Sequence, residues 1–477
     1  MLSSSLGSTI PVSSRALAVP GATLTRAHPA ARLVRAYLFV GAVLYLAFAL
    51  LTPPFQTPDE HQHLFRAYQL ASFELIGERR GQESGGELPE SLSRAALPEL
   101  GTLAPHVDRA IPETTFAQRI ARATPLDASG PRRFTNFLGS VSYAPVGYVP
   151  QIVAIWTGGA LGFSVENIVR LGRVFNALVC LGLFAGALRC LPVGRLALLF
   201  LALLPMTASC AGAFGQDGMV IGAGAWLAAL GVRIALLRSW SGRELALAAL
   251  LTACVTLAKM VYLPLVLLPV VAGSGVVREP RWYLPPVLIA LPVLALLGWW
   301  LALNSGLYVA MKPGMPAPGE QVAYLLGHPL AFPKALAVTY LVRGGAVLDT
   351  LFTFGWLNVG PVVAAQWLSA IALGIVLWQG DGEAGALTRA WRYWAALLVL
   401  AMIAAMTLAL YIAATSAGSL LVSGIQGRYF LPLALPALVA LLRHRRADER
   451  LARWAVFVLM GMANLASLLT IARAYYL

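Results

Sequence analysis

The sequence predicts an all-α polytopic membrane protein of about 11 transmembrane helices with a large first periplasmic loop. Three observations lead there. Of 477 residues, 58% are hydrophobic and only 12% are charged, where a soluble domain carries about 25% charged residues. The mean hydropathy is +0.73. Runs of about 17 to 24 nearly uncharged residues recur along most of the chain, each long enough to cross a hydrocarbon core of about 30 Å. Continuous rather than alternating apolarity makes these runs helices and not barrel strands. A soluble multidomain enzyme is thereby excluded.

The elements follow in order. Residues 1–30 are rich in Ser, Ala and Arg and hold no acid, as a disordered cytoplasmic tail would. Residues 31–477 read as a single integral membrane domain. The first span ends at Leu51, and the Thr52-Pro53-Pro54 exit lacks a small-residue cleavage pattern, so the span is expected to stay uncleaved. Residues 53–140 hold 11 of the 21 acids and are too polar to span, so they read as an extramembrane loop with short helices. Tyr143, Pro145, Tyr148, Pro150 and Trp156 suit an interfacial or re-entrant segment at 142–161. The remaining spans then fall near 171–189, 196–214, 218–236, 244–259, 262–277, 282–303, 357–379, 393–413, 430–442 and 453–474.

In that arrangement every short connection on the side of the N-terminus is basic. The connections hold Arg189 and Arg195; Arg233, Arg238 and Arg243; Arg278 and Arg281; Arg389 and Arg392; and Arg443 to Arg453. This is the positive-inside bias, and it sets the N-terminus in the cytoplasm. The outer face then carries loops at 53–140, at 304–356 and near 414–430. Most of the net charge of +14 is used in this orientation, so nucleic acid is not an expected partner. Cys180, Cys190, Cys210 and Cys254 have no CxxC spacing and imply neither a disulfide framework nor a zinc site.

Four groups could carry chemistry. In Pro58-Asp59-Glu60-His61-Gln62-His63-Leu64-Phe65-Arg66, Pro58 and the acids suit a plain helix start. Yet Asp59, His63 and Arg66 stand at i, i+4 and i+7, one face of one helix. The carboxylate could deprotonate a hydroxyl or hold a divalent cation, and His63 could share either task. Asp217 lies between two apolar runs, either as a helix cap or as a second acid facing a cavity. Lys259 lies at the end of another run, either snorkelling or paired with a lipid phosphate or with Asp217. In Gln426-Gly427-Arg428-Tyr429, Gly427 permits close backbone approach to a ligand. Arg428 offers a planar fork for phosphate oxygens, or serves with Tyr429 as an interfacial anchor. Tyr143 and Tyr148 add rings that stack on sugars or anchor at headgroups. The dinucleotide-binding glycine fingerprint, the P-loop and the serine-hydrolase elbow are all absent, which removes nucleotide-driven pumps and serine hydrolases.

At these residues the chain resembles the bacterial membrane-protein family of domain of unknown function 2142. The resemblance rests on Pro58-Asp59-Glu60 with His63, Arg66 and Ala67, and on Tyr143-Ala144-Pro145 with Tyr148 and Pro150. It continues through Leu204-Pro205-Met206 with Ser209 and Asp217, and Lys259 with Tyr262-Leu263-Pro264. Phe354-Gly355-Trp356 and Gln426-Gly427-Arg428-Tyr429 complete it, in order over about residues 35–440. The family usually has a Ser-Pro-Asp-like turn where this chain has Gly215-Gln216-Asp217, and often a Pro where it has Met260. That family is in turn similar to the glycosyltransferase C (GT-C) superfold. Those polytopic helical enzymes use polyprenyl-phosphate-linked sugars and carry a catalytic acid just after the first span, the position of Asp59. Some have a second acid before a later span, which Asp217 would match.

The resemblance implies a multi-pass protein of the bacterial inner membrane. It would move a sugar from a polyprenyl-phosphate donor to a glycan or lipid acceptor in contact with membrane lipids. Asp59 would be the base, with Glu60 and His63 beside it. Arg66, Tyr143, Tyr148, Asp217, Lys259, Tyr262, Gln426, Arg428 and Tyr429 would bind substrate. A divalent cation, Mg or Mn, would sit on Asp59 and Asp217 if one is needed. A lipid-linked glycan flippase or transporter, and a polysaccharide polymerase or ligase, are the alternative expectations.

Overall fold

The computed structural model describes residues 27–101, 123–271, 284–309, 317–445 and 449–477. Most of the expected tail over 1–30, together with Arg278, Arg281 and Arg446, lies outside them. The described residues are mostly helical, at 73%, as expected of a polytopic helical membrane protein.

Helix α1 (Ala27–Leu51) is followed by α2 (Glu60–Ala71), strands β1 (Glu78–Arg80) and β2 (Glu83–Pro89), α3 (Glu90–Gly101) and β3 (Arg132–Asn136). The three strands form an antiparallel sheet in the order β1-β2-β3, with Gly85 opposite Asn136 and Pro89 opposite Arg132. The sheet is a departure from the helices expected in this polar stretch. Its strands are short, β1 is exposed throughout, and β2 opens on Glu-Ser-Gly-Gly, so neither shows the alternation that marks a strand.

A 3-10 turn at Pro145–Tyr148 leads into α4 (Val149–Ala160). Its 12 residues rise about 18 Å, less than the roughly 30 Å core. Next come α5 (Val165–Cys190), α6 (Arg195–Ala202), α7 (Pro205–Ala211), α8 (Asp217–Leu237) and α9 (Gly242–Ala258). Ser164 caps α5 by accepting from the Asn167 N–H, and Ser241 with Glu244 forms a capping box on α9, each satisfying helix-start donors. The run expected as one span at 196–214 is broken at Pro205, which has no N–H to continue the helix. A 3-10 segment, Met260–Val270, follows α9 and contains Pro264 and Pro269.

The second half holds α10 (Leu284–Leu303), α11 (Pro318–Gly327), α12 (Ala331–Asp349), α13 (Val363–Gln379) and α14 (Arg389–Ala414), then a 3-10 turn at Gly427–Phe430, α15 (Leu431–Leu441) and α16 (Glu449–Tyr476). Seven described helices are long and apolar enough to cross a membrane: Ala31–Leu51, Val165–Cys190, Asp217–Leu237, Leu284–Leu303, Ala331–Phe352, Arg389–Ala414 and Glu449–Tyr476. Ala331–Phe352 lies inside the stretch expected as an outer loop at 304–356. Lys334, Arg343 and Asp349 interrupt its apolar pattern in the sequence. The other expected spans are shorter or broken helices.

The core centres on α8, buried along nearly its whole length. It packs on α5, α9, α15 and the Met260–Val270 segment, while α1 packs on α5 and α13 on α16. One buried contact fixes how the chain leaves α1. Arg173 of α5 is wholly inaccessible, as is Glu60. Its Nε and Nη2 donate to the two Glu60 carboxylate oxygens at 2.7 and 2.6 Å. The remaining guanidinium donors go to the carbonyls of Ala49 (3.1 Å), Pro53 (2.9 Å) and Thr52. Glu60 also accepts from the N–H groups of Phe55 and Phe214. Arg173 thus completes the orphan carbonyls at the end of α1 and ties them to the start of α2.

Removing one partner of a buried ion pair leaves an uncompensated charge, at a cost of about 3–5 kcal/mol. Arg173→Ala is therefore expected to lower the melting temperature of the detergent-purified protein strongly. Arg170→Ala, one turn away, where the side chain donates to the exposed Asn167, should lower it far less. Equal melting of the two variants would show that Arg173 does not clamp the end of α1 to α2.

Candidate functional site

The clamp sets the geometry of its neighbour. Asp59 takes a left-handed conformation (φ +61°) at the head of α2, and its side chain makes no capping hydrogen bond. Asp is among the few residues that tolerate this region. The carboxylate is left without a hydrogen-bond partner among the described residues. It is open to solvent, within electrostatic reach of Arg428, Asp217 and Lys259.

Those three come from elsewhere in the chain and meet on one carboxylate. Lys259 Nζ stands 2.5 Å from Asp217 Oδ1, and Arg428 Nε stands 3.2 Å from Oδ2. Their side chains remain partly accessible, at 23% for Lys259, 22% for Asp217 and 14% for Arg428. Asp217 opens α8, where the helix dipole favours an acid. The amide of Asn176 donates to the carbonyls of Cys210, Ala211 and Ala213, which holds the end of α7 just ahead of it. Lys259 sits where α9 stops, and Arg428 in the 3-10 turn before α15. The Tyr429 ring lies 4.7 Å from Lys259 Nζ and 5.7 Å from the Arg428 guanidinium, giving both cations a π-face. Arg428 also lines a cleft of about 470 Å³, part of it open solvent, with Thr57, Pro58, Ser209, Phe354 and Gln426.

His63 closes the other side. Its Nδ1 is 2.6 Å from the Tyr148 hydroxyl, and its ring is stacked on Tyr143 with centroids 6.1 Å apart. A Cβ on Gly215 would stand 3.2 Å from His63 Cδ2, so the residue before Gln216-Asp217 must be small for the ring to sit there.

Several expected residues have other work. Glu60 spends both oxygens on Arg173 and backbone N–H groups, so it supports Asp59 from behind and does not face the recess. Arg66 donates to the carbonyls of Tyr143 and Leu75 and to Gln69. With those donors used, it positions Tyr143 and has little left to offer a substrate. Tyr148 is wholly buried and serves as the partner of His63. Tyr262 is also buried, and its hydroxyl donates to the Tyr429 carbonyl at 2.8 Å, setting that ring's place. Gly427 approaches its own chain, not a ligand. A Cβ there would meet Leu351 Cγ at 2.6 Å and the Val347 carbonyl at 2.8 Å, and its N–H donates to Thr350. Tyr143, Asp217, Lys259, Gln426, Arg428 and Tyr429 remain at the recess or its cleft. Arg173 and Asn176 escaped the sequence reading. Their only signal was a polar side chain inside an apolar helix, which is costly unless partnered.

A divalent cation does not fit these donors. Both Asp217 oxygens face nitrogen cations, and among the described residues no three His, Cys, Asp or Glu side chains group as a metal site. Desolvation raises the proton affinity of Asp59; Arg428 and Lys259 oppose that shift and Asp217 adds to it. Burial pushes His63 down to about 4, and His61 likewise, so both imidazoles are neutral under physiological conditions.

The neutral imidazole is the folded form's preference, so this stabilisation is complete above the ordinary value of 6.5 and is lost as pH falls towards about 4. In a melting-temperature series across that window, His63→Gln should fall less steeply than the wild type. Unchanged slopes would show that His63 is not held neutral.

The sequence pattern of the family described as "Predicted membrane protein (DUF2142)" matches residues 39–437. No curated protein and no solved structure matches the chain.

Proposed function

We propose, since the chain belongs to the DUF2142 family of predicted membrane proteins, that it is a membrane glycosyltransferase of the GT-C kind. It moves a sugar from a polyprenyl-phosphate donor to a hydroxyl acceptor on the periplasmic face of the bacterial inner membrane. The observation that carries this reading is the meeting of Asp59 with Lys259 and Arg428 in one partly open recess. Such a recess pairs a base with a cationic seat for a leaving phosphate.

In this reading the acceptor hydroxyl gives its proton to Asp59 while its oxygen attacks the anomeric carbon. The bond from that carbon to the phosphate oxygen breaks, and the electron pair leaves with the polyprenyl phosphate. Lys259 and Arg428 stabilise the charge that develops there. A single displacement inverts the anomeric centre. The large polar stretch after the first span supports an enzyme over a carrier. A lipid-linked glycan flippase is the second reading, favoured by the interruption of helices at Pro205 and after Lys259, since broken helices are a carrier's device. A polymerase or ligase would share the donor chemistry and transfer longer chains.

Purified protein incubated with defined polyprenyl-phosphate sugars is expected to yield transferred product. Asp59→Asn should reduce the rate about 10²-fold or more, the usual size of a general-base contribution, while donor binding persists. Full transfer activity in a well-folded Asp59→Asn variant would falsify the assignment; transbilayer movement of the lipid without product would favour the flippase.

A further inference from the structure

The three charged side chains that touch one another in the recess do not balance. Lys259 and Arg428 bring two positive charges. Asp217, held between them at 2.5 and 3.2 Å, neutralises one. Asp59, the proposed base, stands opposite and makes no ion pair with either cation among the described residues. His63 is neutral. The three side chains in contact therefore carry one net positive charge.

Asp217 cannot swing away to change this sum. It is the first residue of α8, in the most buried of the candidate spans, and Asn176 ties down the backbone just before it. The unspent donors point the same way. Lys259 has two N–H groups left after Asp217, and the outer edge of the Arg428 guanidinium has no further partner among the described residues. These are donors for oxyanion oxygens.

We infer that Asp217 is a fixed internal counter-ion that sets the charge selectivity of the recess, so that it accepts a singly charged phosphodiester and discriminates against a diphosphate or a divalent cation. The inference rests on the reading that the recess takes a lipid phosphate, and it adds which lipid phosphate. A prenyl phosphodiester brings one negative charge and closes the sum. A diphosphate brings at least one more, which would lie against Asp217. A divalent cation would have to take Asp217 from Lys259 and Arg428 and would leave three cationic groups together.

The test measures binding by calorimetry on the full-length protein in detergent, so it does not depend on turnover. The probes are farnesyl methyl phosphate, farnesyl diphosphate and dimethyl phosphate, each with magnesium and with chelator. The wild type should prefer the diester to the diphosphate, with affinity unaffected by magnesium. Asp217→Asn should shift the ratio towards the diphosphate by about tenfold or more, the scale of one unit charge at close range. Asp217→Glu should restore it. Lys259→Gln changes the charge in the opposite sense and should move the ratio the other way, which keeps the test decisive if Asp217→Asn does not fold.

Tighter diphosphate binding by the wild type, a requirement for magnesium, or a ratio indifferent to these variants overturns the inference. The proposed function fails separately. Dimethyl phosphate binding as tightly as the farnesyl diester would overturn the lipid source. Absence of sugar transfer with the charge ratio intact would overturn the reaction and leave the counter-ion assignment standing.

Discussion

The buried ion pair between Arg173 and Glu60 is the constraint on which the site depends. A charge pair removed from water stabilises a fold only when every donor and acceptor is met, and here the surroundings meet them. Arg173 gathers the last carbonyls of α1, and Glu60 gathers the N–H groups of Phe55 and Phe214. Three pieces of chain are joined at one point: the end of the first helix, the start of the second, and the turn ahead of Asp217. The residue between the two anchored pieces is Asp59, whose left-handed backbone turns its carboxylate away from the helix end. The clamp and the candidate base are adjacent in sequence, and the two acids divide the labour of structure and chemistry.

The same division runs through the rest of the recess. Each group open to a ligand is backed by a buried group that is not. Tyr148 holds His63, Arg66 holds the backbone of Tyr143, Tyr262 holds that of Tyr429, and Asn176 holds the approach to Asp217. Side chains locked by such contacts are preorganised, which is what electrostatic stabilisation of a developing charge requires. Nearly all of these supports are polar atoms inside a largely apolar bundle, so their placement reflects positioning more than packing.

This arrangement explains which parts of the molecule could be read from the sequence. The apolar runs gave the helical class and most of the helices, because lipid and core both demand continuous apolarity. The chemical residues Asp59, Asp217, Lys259 and Arg428 were conspicuous because an unpaired charge at the edge of an apolar run is costly. Their supports were harder to see. Glu60 and Arg66 share α2 with Asp59 and could not be separated from it by spacing alone; their roles are decided by partners about 77 to 113 residues away. Arg173 sat inside a run already read as a span. The sheet and the helix at Ala331–Phe352 lacked a clean period, the first for want of alternation and the second because charges interrupt it.

Helix length bears on whether the site is an enzyme's or a carrier's. Asp217 opens a helix of 21 residues, which rises roughly 30 Å, about the thickness of the hydrocarbon core. A group at the end of such a helix belongs at a membrane boundary, and a carrier places its site near the midplane. Lys259 ends its helix, Asp59 follows α1 and Arg428 precedes α15, so all four groups occupy helix termini at one end of the bundle. Backbone there is irregular and free to bring distant segments together, and water is near enough for a hydrophilic acceptor to arrive. In the proposed reading, a lipid-borne donor would reach the same level through its headgroup. The recess thus lies where a membrane-bound and a soluble reactant can meet, which favours group transfer over passage.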